Sequence, residues 1–580
     1  MKGAARSLLE HPMLRRYTSL VREDLAATYS RDLHKWLLVA PILGVVTGLL
    51  ITLVAQVILR WLWPAILAYD LQNPAAMVPI VTAGFLVAGL IMQHLTPDPD
   101  LHSTEEIIRS YHEHQGEVQL RPFIPKLLAA IATVGAGGSA ALEGPSIYGG
   151  GAVGSWLWTK LRKVGLGPRD RRIMLISGAA AGMSAVFRAP LTGIIFALEM
   201  PYQDDLAHEA LMPALIASVV SYATMAAFLG SAPLFDFAAA AGYTRRDLLW
   251  AAGLGILCGL VAMAFAITFR RLRTFSVRLK VPHWLKMTAG GLLTGLCGLA
   301  FLSIFPGKLV PIGPNYEAVS QILQAGHGTA ELLAFGALKL VATLFSLGVG
   351  GVSAMFVPLF LAGSSFGTAF GQSVVHSTNP ELYAAVGMAA FIAAAYKAPL
   401  TAVVFVAEAT GGHGFIIPAL IGAAVAYGVS GAASVSGDQR LHEAVRVAAL
   451  GGVAVADAMQ ARVTTTGVDT TVREFVGGIA DGATPHTVYP VVEDGRVVGT
   501  LAASTISRVS PDRWDEVRVH ELMDREFTSV APDASVQDAL RLLRGTGAPH
   551  LVLVVAAGGR LAGIVTKTDV LAVLDTRGRG

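Results

Sequence analysis

Glu143 is the only acidic or basic residue in a glycine-rich stretch from Gly135 to Gly154: Gly-Ala-Gly-Gly-Ser-Ala-Ala-Leu-Glu-Gly-Pro-Ser-Ile-Tyr-Gly-Gly-Gly-Ala-Val-Gly. Apolar runs at Phe123–Val134 and Ala152–Trp158 bracket it. A carboxylate at membrane depth is costly, and such groups mark ion and proton pathways. Gly144-Pro145 is a helix-start signal, because proline in the first turn gives up no needed hydrogen bond. Free amides at a helix start favour negative charge, and the neighbouring glycines let backbone come close to an ion. The pattern describes a broken membrane helix whose start, at Gly144, faces an anion, with Glu143 competing for the same place. A plainer reading is a re-entrant turn in which Glu143 only caps amides.

The chain carries this device twice. Gly348–Gly367 reads Gly-Val-Gly-Gly-Val-Ser-Ala-Met-Phe-Val-Pro-Leu-Phe-Leu-Ala-Gly-Ser-Ser-Phe-Gly, and Pro358 and Gly367 each fall 213 residues after Pro145 and Gly154. A second echo links Phe187-Arg188-Ala189-Pro190-Leu191-Thr192 to Tyr396-Lys397-Ala398-Pro399-Leu400-Thr401, 209 residues on, with Phe196 and Glu199 matched by Phe405 and Glu408. Two halves, each with a broken helix, imply a binding site where the halves meet. Whether the halves are inverted is not legible at this level.

The surrounding elements suit that task. Of 580 residues 53% are hydrophobic and 15% charged, and 62 are glycine, the profile of a polytopic membrane protein with close helix contacts. Trp36–Leu59, Val78–Leu95, Ala251–Phe269, Met287–Phe305 and Ile416–Ala433 read as membrane spans. Phe123–Val134, Ala354–Gly371 and Ala402–Ala409 are shorter and punctuated by Gly or Pro. Basic clusters at Lys160–Arg172 and Arg270–Lys280 contrast with the loops Tyr69–Met77 and Gly230–Tyr243, which lack Lys and Arg. The positive-inside rule then puts the basic loops and both termini in the cytoplasm. Residues 1–34 read as a basic cytoplasmic lead-in without a cleavable signal. A net charge of +3 is too small to argue for nucleic acid, and two cysteines, Cys258 and Cys297, offer neither a disulfide framework nor a metal site.

Three motifs in order resemble the CLC family of chloride channels and proton-coupled chloride antiporters. Ala141-Leu142-Glu143-Gly144-Pro145 is similar to its Gly-Lys/Arg-Glu-Gly-Pro motif, Ala354-Met355-Phe356-Val357-Pro358 to its Gly-x-Phe-x-Pro motif, and Phe187–Glu199 to its proton-glutamate helix pair. The resemblance covers roughly residues 35–435 and implies an inverted-repeat helical bundle with broken helices, occupying residues 35–436. It implies that Glu143 is the external gating and proton-transfer glutamate, that Met355 and Phe356 offer amides to a central anion, and that Glu199 is the internal proton-transfer glutamate. Glu408 reads as structural, and a solvated helix-end carboxylate is the alternative for Glu199. Two departures stand out. The family's Gly-Ser-Gly-Ile-Pro is replaced by Leu101-His102-Ser103-Thr104-Glu105. His102 falls at the place of the anion-coordinating serine, with Ser103 next if the alignment shifts by one; donation to the anion and a cap contact away from it both stay open for His102. The family's central tyrosine, sought near Ala433–Arg440, has no counterpart, and Ser436 is the nearest hydroxyl.

Residues 453–577 hold another duplication. Val455-Ala456-Asp457-Ala458-Met459 is matched by Val519-His520-Glu521-Leu522-Met523, and Gly495-Arg496-Val497-Val498-Gly499 by Gly559-Arg560-Leu561-Ala562-Gly563. Alternating strand, glycine turn and helix signals suggest a small α/β unit made twice, over 453–510 and 517–577. The tail resembles a tandem CBS pair. Thr566-Lys567-Thr568-Asp569 is similar to the ribose-contacting Thr-x-x-Asp of such pairs, whereas the first copy has Ala502-Ala503-Ser504-Thr505. At most one adenine-nucleotide site (ATP, ADP or AMP), through Thr566 and Asp569, is implied; a structural or dimer-forming tail is the other reading.

No cofactor is required by this reading. The expected partners are chloride or another small anion, protons, the bilayer and a second copy of the chain. The function expected is proton-coupled chloride antiport. The alternatives are a passive voltage- or pH-gated chloride channel and a non-conducting, membrane-anchored nucleotide sensor, against which the intact Glu143-Gly144-Pro145 argues. No nucleophile–base pair, metal cluster or phosphate loop suggests an enzyme.

Overall fold

The computed structural model describes residues 31–440, apart from 101–102, 120, 163–165, 233, 236, 238–241, 324–326 and 412, and residues 453–570, apart from 481–486 and 544–550. The chain forms two compact units, one ending at Leu441 and the other beginning at His442.

The first unit is helical. α1 (Arg31–Ala55) continues through a π-helical turn, Gln56–Leu62, into α2 (Trp63–Gln72), where Pro64, which has no N–H to donate, directly follows the irregular turn. α3 (Met77–Leu95), α4 (Ser103–Glu113) and α5 (Phe123–Gly135) lead to the first broken helix, α6 (Glu143–Leu161). α7 (Pro168–Phe187), α8 (Pro190–Glu199) and α9 (Leu211–Leu229) complete the first half. α10 (Arg245–Arg278), α11 (His283–Ile304), α12 (Ala318–Leu323) and α13 (Thr329–Leu347) precede the second broken helix, α14 (Phe356–Phe370). α15 (Pro380–Tyr396), α16 (Pro399–Thr410) and α17 (Ile416–Val429) follow it. Among the described residues six helical segments are long and apolar enough to cross a membrane: His34–Gln72, Pro74–Leu95, His208–Leu229, Arg245–Arg278, His283–Ile304 and Thr329–Leu347.

Two of these, at Leu211–Leu229 and Thr329–Leu347, are not among the spans expected from the sequence. The first is interrupted by Ser218, Ser221 and Thr224, and the second by Lys339. The lysine is fully buried and donates to the Gly313 carbonyl at 2.7 Å. α10 outruns its apolar core at both ends. Thr244 and Asp247 cap its start reciprocally, and the helix carries on through the basic residues Arg270–Arg278.

The repeat is visible in how each broken helix is held. α6 and α7 approach so closely that a Cβ on Gly150 would lie 2.0 Å from the Gly178 carbonyl oxygen, and one on Gly182 2.0 Å from that of Ser146. α14 and α15 repeat the arrangement through Gly387, whose Cβ would lie 2.0 Å from the Gly363 oxygen. Without a hydrophobic effect between helices in lipid, such small-residue contacts are what brings backbones together. The halves are inverted. The end of α8 meets the start of α16, and the end of α16 meets the start of α8, so the two helices run antiparallel.

The second unit is a six-stranded sheet in the order β1-β2-β3-β6-β5-β4. β1 (Thr466–Gly467), α18 (Val472–Ala480), β2 (Val488–Glu493) and β3 (Arg496–Ala502) form one copy. β4 (Ser529–Val530), α19 (Val536–Leu542), β5 (Leu551–Ala556) and β6 (Arg560–Thr566) form the other. In each, the first strand pairs parallel with the second and the second antiparallel with the third; the copies join where Arg496 registers with Arg560.

Candidate anion site

Glu143 opens α6 and Phe356 opens α14, and the two helix starts abut. The Ala141 amide donates to the Ala354 carbonyl at 3.0 Å, and the Ser353 hydroxyl donates to the Ala141 carbonyl. Gly144 is pressed against the partner start, where a Cβ would lie 2.8 Å from the Ser353 carbonyl carbon. Only glycine lets the two backbones come this near.

Across this junction the Phe356 amide donates to Glu143 Oε1 at 2.5 Å. Glu143 is fully buried, and its Oε2 has no hydrogen-bond partner among the described residues. A carboxylate therefore occupies a helix-start amide that would equally hold a small anion. Behind that amide the Phe356 ring lies among two repeat-related aromatic pairs: Phe187 and Tyr396, with centroids 5.1 and 5.9 Å away, and Phe196 and Phe405, at 5.6 and 5.0 Å. This aromatic box excludes water, so charge at the junction must be met by the few polar groups that face it.

Those groups line a cavity of about 40 Å³, near the volume of one or two waters. Its walls include Ser353, Met355, Tyr396 and Ser436. The Met355 amide donates to the Tyr396 hydroxyl at 3.2 Å, which leaves the tyrosine its own O–H to donate. The Ser436 Oγ is buried without a hydrogen-bond partner among the described residues. Of the residues singled out in the sequence, Glu143, Gly144 and Phe356 meet at the helix junction, and Met355 and Ser436 line the small cavity beside it. His102 and the side chain of Ser103 lie outside the described residues.

Glu199 lies elsewhere, at the far end of α8. Its Oε1 accepts from the Leu400 amide at 3.1 Å, and its Oε2 accepts from the Thr401 amide and hydroxyl at 2.8 and 2.5 Å. Glu408 does the same at the start of α8, accepting from the Leu191 amide at 2.9 Å and from the Thr192 amide and hydroxyl at 2.6 and 2.7 Å. The two carboxylates are reciprocal caps. The separate roles expected for them, proton transfer and structure, find no separate geometry, since both make the same bonds.

Three site residues escaped the sequence reading. Tyr396 heads the second copy of the echo, Tyr396–Thr401, and its alignment with Phe187 was the available signal. Glu105 and Arg273 also line the cavity and form an ion pair. Nothing in their spacing along the chain announces that pairing.

In the second unit the Thr566 amide and hydroxyl donate to Asp569 Oδ2 at 2.8 and 2.7 Å, while Gln460 donates to Oδ1 at 2.8 Å. The two residues singled out for ribose contact are therefore together, with the carboxylate already engaged. Strand alignment sets Ala502 opposite Thr566 in the duplication, at the last residue of β3 and of β6.

Inverted repeats whose broken helices converge on a buried carboxylate define an ion-handling, multi-pass membrane protein. The chain belongs to the voltage gated chloride channel (CLC) family, whose model matches residues 84–431, and residues 519–576 match the CBS domain. It is 29% identical over 401 residues to the H(+)/Cl(-) exchange transporter ClcA of Yersinia pestis, covering 66% of this chain and 82% of that protein. It is 26% identical over 393 residues to an uncharacterized protein of Methanocaldococcus jannaschii, covering 68% and 92%. Among solved structures, a slow cyanobacterial Cl-/H+ antiporter superposes with a TM-score of 0.60 at 23% identity, covering 68% of this chain and 94% of that one. A eukaryotic CLC transporter gives 0.58 at 20%, covering 93% and 98%.

Proposed function

We propose that the protein exchanges chloride for protons across a membrane, with Glu143 as the group that serves both ions. The observation that carries this reading is the bond from the Phe356 amide to a fully buried Glu143 carboxylate. Charged, Glu143 holds the amide against an anion; protonated, it loses that advantage and its side chain leaves. Tyr396, its hydroxyl oxygen held by the Met355 amide, and Ser436 supply the remaining donors to the anion, and His102, assigned to the filter by resemblance, tunes which anion is taken. The basic loops face the cytoplasm, and two copies of the chain associate, each with its own pathway. Parallel anion and proton flux from liposomes, for the wild type and Glu143→Gln, tests the coupling.

A second reading, a passive chloride channel, draws on one observation. Both oxygens of Glu199 are committed to the cap of α16, and the following residue is Met200, so an inner proton relay through Glu199 has to release three hydrogen bonds. Paired flux on the wild type separates the readings, since a passive channel moves chloride with no coupled proton movement, and Glu199→Gln then tests the relay. Loss of proton flux with anion flux retained supports the relay; equal coupling in wild type and variant returns Glu199 to a purely structural cap.

A further inference from the structure

The small cavity beside the junction has the Glu105–Arg273 ion pair in its wall. Next to it lies a larger one of about 360 Å³, lined by Arg109, Arg270, Arg273 and Arg278 against Glu105 and Asp438. Glu105, Arg273 and Val435 belong to the walls of both cavities. At this boundary Arg273 Nη1 pairs with Glu105 Oε2, and both side chains are mostly buried, at 18% and 14% exposure.

The two partners are not held equally. Arg273 is fixed on α10, and its Nη2 also donates to the Asp100 carbonyl at 3.2 Å. Arg109 and Asp438 flank the pair and bond each other at 3.4 Å. On the inner side of the boundary two hydroxyls, Thr104 Oγ1 and Ser436 Oγ, are buried without hydrogen-bond partners among the described residues. A guanidinium anchored by a backbone carbonyl, two unspent hydroxyl donors and an arginine-rich antechamber make a ready place for a small anion. In the resting arrangement Glu105 fills it.

We propose that the Glu105–Arg273 ion pair is a charged latch on the route between antechamber and junction, and that a passing anion displaces Glu105 from Arg273. The latch rests on the reading of the chain as an anion transporter and adds to it a second competing carboxylate, Glu105, in the wall shared by the two cavities. The proposed path then has two carboxylate plugs. Glu143 sits on a backbone amide, and Glu105 on a side-chain cation.

The test is calorimetric titration of chloride into the full-length protein in detergent. Glu105→Gln removes the competing charge and keeps the shape, so chloride should bind at least about tenfold more tightly, since a mostly buried charge pair of opposite sign is strongly attractive. Adding Arg273→Gln should cancel the gain. Combined with Glu143→Gln, the gains should multiply, as for independent sites. Should Glu105→Gln fail to give a monodisperse protein, Glu105→Ser carries the same expectation. An isotherm for the folded Glu105 variant that matches the wild type overturns the latch, as does a gain that survives Arg273→Gln. If the wild-type protein in liposomes moves anions normally while the Glu105 isotherm is unchanged, only the latch falls. Absence of any wild-type anion flux removes the transport reading, and the latch with it.

Discussion

At the scale of single residues, the molecule uses the same device several times: a carboxylate parked on helix-start amides. Glu199 and Glu408 each do this with three donors closing on one carboxylate. Glu143 does it with a single amide and leaves its second oxygen without a partner. The difference in bond count favours Glu143 as the group that moves in the proposed exchange, because a group held by three charge-assisted bonds is harder to release than one held by one. Glu143 was legible in the sequence because an isolated carboxylate beside Gly-Pro in an apolar chain has few explanations. Tyr396 was not, because its role depends on the close approach of α15 to α14, and a tyrosine at a helix end has many. Glu105 and Arg273 were hidden for the same reason: 168 positions separate them in the chain, and only folding sets them side by side.

At the scale of elements, the prolines and glycines were the most readable features. Pro190 and Pro399 open α8 and α16, as the paired echoes suggest. The inversion of the repeats was not readable, since an offset of 209 residues is the same for parallel and inverted copies; the reciprocal caps of α8 and α16 supply it. The glycine contacts between α6 and α7 give a prediction that belongs here. Gly178→Ala places a methyl 2.0 Å from the Gly150 carbonyl oxygen, a backbone atom that cannot swing aside. The helices must part, at a cost of about 2 kcal/mol or more, and Glu143 loses its register on the Phe356 amide. Gly253→Ala, on α10 with nothing within 4 Å of the new methyl, should change stability by no more than about 0.5 kcal/mol. Thermal unfolding in detergent measures both, and equal melting of the two variants would contradict this account of the contact.

At the scale of the whole molecule, a helical unit that belongs to the CLC family is followed in the chain by an α/β unit. The duplication of the α/β unit was readable because apolar strand, glycine turn and helix signals recur in the same order. The fate of Asp569 was not, because Gln460 lies 109 residues away. Nucleotide binding at this place would require a ribose to replace Gln460 on the carboxylate. Asp569→Ala in the full-length protein should then weaken ATP, ADP or AMP binding roughly tenfold or more, the loss of one or two charge-assisted hydrogen bonds. Titration calorimetry checks it, and unchanged binding removes Asp569 from the site. The proposed pairing of two chains is read from the mass in mild detergent; a single-chain mass with full transport would contradict it.

The central claim is that one carboxylate serves both ions, and Glu143→Gln tests it most directly. The substitution keeps the side chain's shape and its ability to accept from Phe356, and it removes the charge and the titrating proton. Chloride and proton movements are followed together from liposomes holding the purified protein, with an imposed chloride gradient and a varied external pH. The wild type should move protons uphill as chloride runs down, with a rate that depends on external pH. Glu143→Gln should keep chloride flux, lose proton movement, and show a chloride rate independent of external pH. Proton pumping by Glu143→Gln driven by the chloride gradient alone would contradict the account and leave Glu143 as a structural cap.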